Sequence, residues 1–256
     1  MNGPVQRFEP RQPLFLVPWP VLVLIGLLCT AYAGYALAPV TLQQQLILHY
    51  ALIPAVYAGG AYGVHLSGLW LVVPFFSYQF MHGGLEHLGI NCLWLLPFGS
   101  VVARRYGGSL FFVFFLVCGA LGAAVQIAAN WGSLEAVIGA SGAISGLMGA
   151  AFRMMDPILP MLDARRDQHG LLPIYSRQIV LWSVLWLGLN IFAGLTGMGA
   201  GPGVQLIAWQ VHIGGYFAGL LLAGPFAWLA DLNVPRPPPN NYRSDRTGDS
   251  GRGPWR

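Results

Sequence analysis

Six apolar stretches divide this sequence, and most of them are long enough to cross a lipid bilayer. A helix needs about 20 apolar residues to span the hydrocarbon core, which is roughly 30 Å thick. Lipid also demands a backbone that satisfies its own hydrogen bonds, and the stretches lack the alternation of barrel strands. The pattern therefore predicts an all-α polytopic membrane protein with six helices at about 14–37, 86–102, 110–129, 141–155, 179–195 and 204–229.

The segment between the first two predicted helices, about 40–80, is apolar and aromatic as well. Prolines and glycines interrupt it repeatedly, namely Pro54, Gly59, Gly60, Gly63, Gly68 and Pro74. These interruptions favour a membrane-embedded first outer loop over a seventh span. The expected domains are a short cytoplasmic N-terminus (1–13), a six-helix membrane domain (14–232) and a disordered tail rich in proline and arginine (233–256).

Composition and charge agree with this topology. Hydrophobic residues make up 55% of the chain and charged residues 9%, against about 25% charged residues in soluble globular proteins. This excludes a soluble or nucleic-acid-binding protein for most of the length. All 13 basic residues are arginines. With six helices and a cytoplasmic N-terminus, every arginine falls on the cytoplasmic side, as the positive-inside rule requires. Both termini are expected in the cytoplasm, and a bacterial inner membrane is favoured.

Polar side chains inside the predicted helices are few. Because such residues are costly in lipid, they are functional candidates by default. Counted along the helices, four of them lie in the outer half of the membrane: His87, Asn91, Ser141 and His212. Asn190 is interpreted as a hydrogen-bonding contact between helices.

Ser141 and His212 are expected to meet. Ser141 begins its helix, where free backbone N–H groups and the positive end of the helix dipole favour a developing anion. Small residues follow it, and Gly215 and Gly219 lie on the same helix face as His212. Small faces let two backbones approach closely. This would bring a nucleophile and a base within reach of each other.

Three motifs resemble those of the rhomboid intramembrane serine proteases. Gly139-Ala140-Ser141-Gly142 is similar to their GxSG motif, and His82-x4-His87-x3-Asn91 is similar to the HxxxxHxxxN motif of their second helix. His212 to Gly219 is similar to the HxxGxxxG of their sixth helix. The resemblance covers about residues 65–230 and implies a six-helix rhomboid-like bundle.

The resemblance also implies roles for these residues. Ser141 would be the nucleophile and His212 the general base, and no acidic residue is near enough to complete a triad. His87 and Asn91 would donate to the oxyanion, while His82 would support them. Gly139, Gly142, Gly215 and Gly219 would allow close helix packing. The implied substrates are single-span transmembrane proteins in the lipid bilayer, cleaved without a metal or cofactor.

Three positions depart from the family's pattern. Leu71 replaces an arginine that follows Trp70 in the outer loop, Ala103 replaces a glutamate, and Ser145 replaces the aromatic ring that packs under the histidine. Trp186 or Tyr216 could substitute for that ring. The departures motivate an alternative, a proteolytically inactive rhomboid-like protein that binds transmembrane helices.

Other rivals are weaker. His87 and His212 could be axial haem ligands, or His82, His87 and His212 could bind zinc, although no HExxH helix is present. A small transporter would be expected to show repeats or broken central helices, and the sequence has neither.

Overall fold

The fold is a bundle of helices. The computed structural model describes residues 17–59, 67–156, 166–196 and 208–233, and within these ranges no strand forms. The predicted N-terminal segment 1–13, almost all of the predicted tail, and the first residues of the first and sixth predicted helices lie outside them. The α-helices of the described residues are α1 (Trp19–Leu37), α2 (Val40–Tyr50), α3 (Pro74–Ser77), α4 (Leu85–Tyr106), α5 (Gly108–Ala129), α6 (Ser141–Met154), α7 (Arg177–Thr196) and α8 (Trp209–Leu232).

Five of these helices are long and apolar enough to cross a membrane, namely α1, α4, α5, α7 and α8. The predicted all-α class is therefore confirmed for the described residues. The remaining predicted span corresponds to α6, which has only 14 residues. At 1.5 Å per residue it is about 21 Å long, shorter than the hydrocarbon core. The count of six spans stays a prediction.

Helix α6 lies at the centre of the bundle, since 12 of its 14 residues are buried. Small residues make this position possible. A methyl group added at Gly215 of α8 would collide with the carbonyl oxygen of Gly142, and one added at Gly219 would collide with that of Gly146. The backbones of α6 and α8 are therefore in direct contact at two successive levels. This contact determines how far apart side chains on the two helices can lie.

Hydrogen bonds anchor the segment between α1 and α4. Leu52 and Val137 exchange two such bonds, with N–O distances of 3.0 and 2.8 Å, and so tie the segment to the chain that leads into α6. The Tyr57 hydroxyl donates to the carbonyl oxygen of Leu71 at 3.1 Å. Here a tyrosine holds the loop at the position where the family's pattern has an arginine.

The other end of the bundle is held by charges. Arg105 at the end of α4 donates to one carboxylate oxygen of Asp231 on α8 at 2.8 Å, and His169 contacts the other oxygen at 2.8 Å. Ala103, where the family's pattern has a glutamate, is buried. The ion pair therefore joins α4 to α8 rather than closing a turn within α4.

Candidate active site

Ser141 is the first residue of α6, and the chain before it is sharply constrained. Gly139 has a φ of +122°, a conformation that side chains other than glycine rarely adopt. Its N–H donates to the carbonyl oxygen of Tyr78 at 2.9 Å, and the Tyr78 hydroxyl donates to the carbonyl oxygen of Gly119 at 2.8 Å. Tyr78 is fully buried. It therefore links the turn before Ser141 to α5.

Ser141 and His212 are in hydrogen-bond contact. The Ser141 Oγ lies 2.7 Å from Nε2 of His212. Gly215, on the same face of α8 as His212, lies against the carbonyl of Gly142. The close approach of the two backbones thus brings these side chains together, as expected from the small residues on both helices. A serine hydroxyl bonded to an imidazole nitrogen has the geometry of a nucleophile with its general base.

The other ring nitrogen of His212 also has a partner. Nδ1 lies 2.9 Å from Oδ1 of Asn190 on α7, and Asn190 in turn donates from Nδ2 to the carbonyl oxygen of Trp186 at 2.9 Å. The sequence indicated a contact between helices at Asn190 but not its partner. The signal in the sequence is that Asn190 is the lone strongly polar side chain in the predicted span 179–195, and this signal does not name the partner.

His87 lies beside the turn before Ser141. A methyl group added at Gly139 would be 2.7 Å from Nε2 of His87 and 3.8 Å from the Ser141 Oγ, so the imidazole and the hydroxyl flank the same glycine. His82 packs edge-on against His87, with ring centroids 5.1 Å apart. His82 is fully buried, and this burial, reinforced by His87, lowers its pKa from 6.5 to about 4. A neutral His82 therefore backs His87.

Asn91 is placed differently from the other predicted donors. It is buried on α4, and its Nδ2 donates to the carbonyl oxygen of His87, one turn earlier, at 2.8 Å. The structure shows no contact between Asn91 and Ser141. One hydrogen of the Asn91 amide is thus engaged within its own helix, and the second remains for another acceptor.

Ser145 occupies the position one turn after Ser141. Its hydroxyl donates to the carbonyl oxygen of Ser141 at 2.8 Å, a bond within α6. Neither proposed substitute for the missing ring stacks on His212 in the described part of the chain. The Tyr216 ring packs against Phe152 and Phe217, and its hydroxyl bonds to Ser183 at 2.8 Å. His212 is held through its two nitrogens instead.

The described residues contain no group of three or more His, Cys, Asp or Glu side chains that could hold a metal ion. The chemistry that the site can support with its own residues is attack by a hydroxyl, with proton transfer to an imidazole. The helix N-terminus at Ser141 offers backbone N–H groups for an oxyanion.

Comparisons with known proteins show the family of this chain. The model of the Rhomboid domain family matches residues 68–228. RHOMBOID-like protein 4 of Arabidopsis thaliana is 30% identical over 173 residues, which are 65% of this chain and 39% of that protein. The chain therefore spans about two fifths of the length of this plant relative.

Bacterial relatives cover more of the chain. The rhomboid protease GlpG of Yersinia pseudotuberculosis (serotype I, strain IP32953) is 27% identical over 226 residues, 87% of this chain and 68% of the relative. GlpG of Yersinia pestis (strain Pestoides F) matches to the same extent. The matched residues include Ser141, His212, His82 and His87. The chain belongs to the rhomboid family.

Proposed function

We propose that this protein is an intramembrane serine endopeptidase that cleaves transmembrane segments of other membrane proteins. The observation that carries the proposal is the 2.7 Å contact between the Ser141 Oγ and His212 Nε2 at the centre of a bundle of apolar helices. Two relatives bear the name rhomboid protease, which supports the same reaction. All six predicted helices would be embedded in the membrane, with both termini in the cytoplasm of a bacterial cell.

The proposed reaction is acyl transfer to Ser141. The Ser141 Oγ attacks the scissile carbonyl carbon while His212 Nε2 takes the hydroxyl proton. Collapse of the tetrahedral intermediate breaks the C–N bond, and His212 returns the proton to the leaving amine. A water molecule, deprotonated by His212, then hydrolyses the acyl-enzyme and regenerates the Ser141 hydroxyl.

The oxyanion would form near Gly139. The backbone N–H of Ser141 at the start of α6, His87 and the free amide hydrogen of Asn91 are the proposed donors. Their loss should slow the reaction without abolishing it, because one such donor typically contributes about 10²–10³ in rate. The substrate is proposed to be a single transmembrane helix that unwinds locally before cleavage, since an intact helix hides its carbonyl groups in hydrogen bonds.

Labelling with a fluorophosphonate probe tests the proposal. In detergent-solubilised, folded protein, the wild type should be labelled, whereas Ser141→Ala and His212→Ala should not. Ser145→Ala is the matched control, because this buried serine lies one turn further along α6 and bonds only within its helix. It should be labelled like the wild type. Absence of labelling in the folded wild type would instead favour the inactive, helix-binding alternative.

A further inference from the structure

The two hydrogen bonds of Asn190 determine which atom of its side-chain amide is the oxygen and which is the nitrogen. Nδ2 lies 2.9 Å from the Trp186 carbonyl oxygen, which can only accept, and Oδ1 lies 2.9 Å from His212 Nδ1. Reversing the amide would place two oxygens against each other at Trp186. Because Oδ1 can only accept, Nδ1 of His212 must carry a hydrogen.

This hydrogen determines the state of the other ring nitrogen. A neutral imidazole carries one proton, so when Nδ1 holds it, Nε2 presents a lone pair. That lone pair lies 2.7 Å from the Ser141 Oγ, where a general base must accept the hydroxyl proton. The opposite tautomer would place an N–H against the Ser141 hydroxyl and could not receive its proton.

We infer that Asn190 is the positioning residue of His212, which it holds in the base-competent tautomer and ring orientation. The inference rests on the proposed function and extends it, because the site then comprises serine, histidine and asparagine from three helices, α6, α8 and α7. In serine proteases with a triad, an aspartate fulfils this task. Here a neutral amide does so, and it avoids placing a charged carboxylate inside the bundle.

The burial pattern of α7 sets Asn190 apart. Only Gln178, Ile179 and Asn190 are buried among its residues, and the first two lie in the first turn. Beyond its first turn, α7 buries one residue, Asn190, and the side chain of Asn190 contacts His212. The ring faces no described carboxylate. The titratable group that acts electrostatically on His212 is His87 of α4.

Another side-chain contact between α7 and α8 offers a matched control. Ser183 lies seven residues before Asn190, on the same face of α7, and bonds to the Tyr216 hydroxyl at 2.8 Å. Tyr216 is one turn beyond His212 on α8. Ser183→Ala therefore removes a side-chain contact between the same two helices without touching His212, whereas Asn190→Leu removes the Nδ1 acceptor at nearly constant volume.

The test measures the rate of fluorophosphonate labelling across pH in the purified full-length protein. Asn190→Leu should lower the rate about 10- to 100-fold, while Ser183→Ala should stay within about twofold of the wild type, because only the first variant frees His212 to change tautomer. Asn190→Asp should restore labelling with the acid limb of the profile at higher pH, because an anionic acceptor stabilises the protonated imidazole. If Asn190 only joined α7 to α8 structurally, Asn190→Asp would leave the acid limb of the pH profile where the wild type has it.

The ¹⁵N chemical shifts of the His212 ring, assigned by comparison with His212→Gln, give a second measurement. The wild type should show the Nδ1–H tautomer, and Asn190→Leu should shift the population towards Nε2–H. Wild-type labelling together with an unchanged rate and tautomer in Asn190→Leu would overturn this inference alone. A folded wild type that is not labelled would overturn the proposed function and this inference with it.

Discussion

Helix α8 carries His212 and helix α7 contacts it through Asn190, but the two helices are held in the molecule in different ways. In an 18-residue apolar stretch of α8, 56% of the residues are buried, against 17% in the corresponding stretch of α7. Helix α8 touches α6 through glycine backbones, whereas α7 reaches α8 mainly through side chains such as Ser183 and Asn190. The difference separates two properties of the site. Backbone packing sets the distance between nucleophile and base, and side-chain contacts set the orientation of the base.

A contact between backbones has little freedom to adjust. When Gly215 and Gly219 lie against carbonyl oxygens of α6, any displacement of α8 must move the whole interface. A hydrogen bond from a long, largely unburied helix is easier to break. A small shift of α7 would open the Nδ1 contact of His212 and leave the contact between Nε2 and Ser141 in place.

The largest effect is expected from filling the space between α6 and α8. In Gly219→Ala the added methyl group would overlap the Gly146 carbonyl oxygen, so α8 must move away from α6. We expect the free energy of unfolding to fall by about 2–3 kcal/mol, as in other overpacked interiors, and probe labelling to be lost. Denaturation in mixed detergent micelles measures the first effect.

Gly224→Ala on the same helix is the control for Gly219→Ala, because a methyl group there meets nothing within 4 Å. Replacing a helical glycine by alanine in open space should stabilise the helix by up to about 1 kcal/mol. Equal unfolding curves for the two variants would contradict the view that the backbone contact holds α8.

Much of this architecture could be predicted from the sequence, because lipid imposes a simple rule on helix length and polarity. The predicted stretch 110–129 differs from α5 by two residues at its start. Close packing near Ser141 and His212 was expected from small residues at helical spacing. Helix α6 is short, but this does not contradict the apolar pattern that predicted a helix at 141–155. An apolar stretch has the same composition whether it is surrounded by lipid or by other helices.

The position of Asn190 shows what the sequence could not supply. Its spacing from His212 is 22 residues, and the two lie on different helices. Their contact depends on how α7 is rotated about its own axis. That rotation is set by the tertiary packing of partly buried side chains such as Trp182 and Trp186, and the sequence of α7 has almost no amphipathic face to indicate it. The partner of a lone polar residue therefore had to come from the structure.

The second-largest effect is expected at the turn before Ser141. Like the contact between α6 and α8, this turn is constrained by its backbone. Gly139→Ala would strain a φ of +122° and place a methyl group 2.7 Å from His87 Nε2. We expect labelling to slow at least about 100-fold, the size of effect seen when one oxyanion donor is lost. Gly89→Ala, near His87 on α4 but with open space around it, should be labelled normally. Normal labelling of Gly139→Ala would show that this turn tolerates displacement.

The smallest effects are expected on α7, where one glycine lies on the open surface of the helix and another lies against α8. A methyl group at Gly188 meets nothing within 4 Å, whereas one at Gly194 would overlap the Trp209 indole at the start of α8. Gly188→Ala should raise the free energy of unfolding by up to about 1 kcal/mol through helix propensity. Gly194→Ala should lower it by about 1 kcal/mol, because the indole must move.

These two variants also test whether the orientation of His212 depends on α7 as a whole. Labelling should be unchanged in Gly188→Ala and slower in Gly194→Ala, since a displaced α7 weakens the contact between Asn190 and Nδ1 of His212 while the contact with Ser141 persists. If Gly194→Ala lost stability but kept the wild-type labelling rate and pH profile, the contact between Asn190 and His212 would persist although α7 is displaced. The orientation of the base would then be as firmly held as its distance from the nucleophile, and the contrast between α7 and α8 would apply to stability alone.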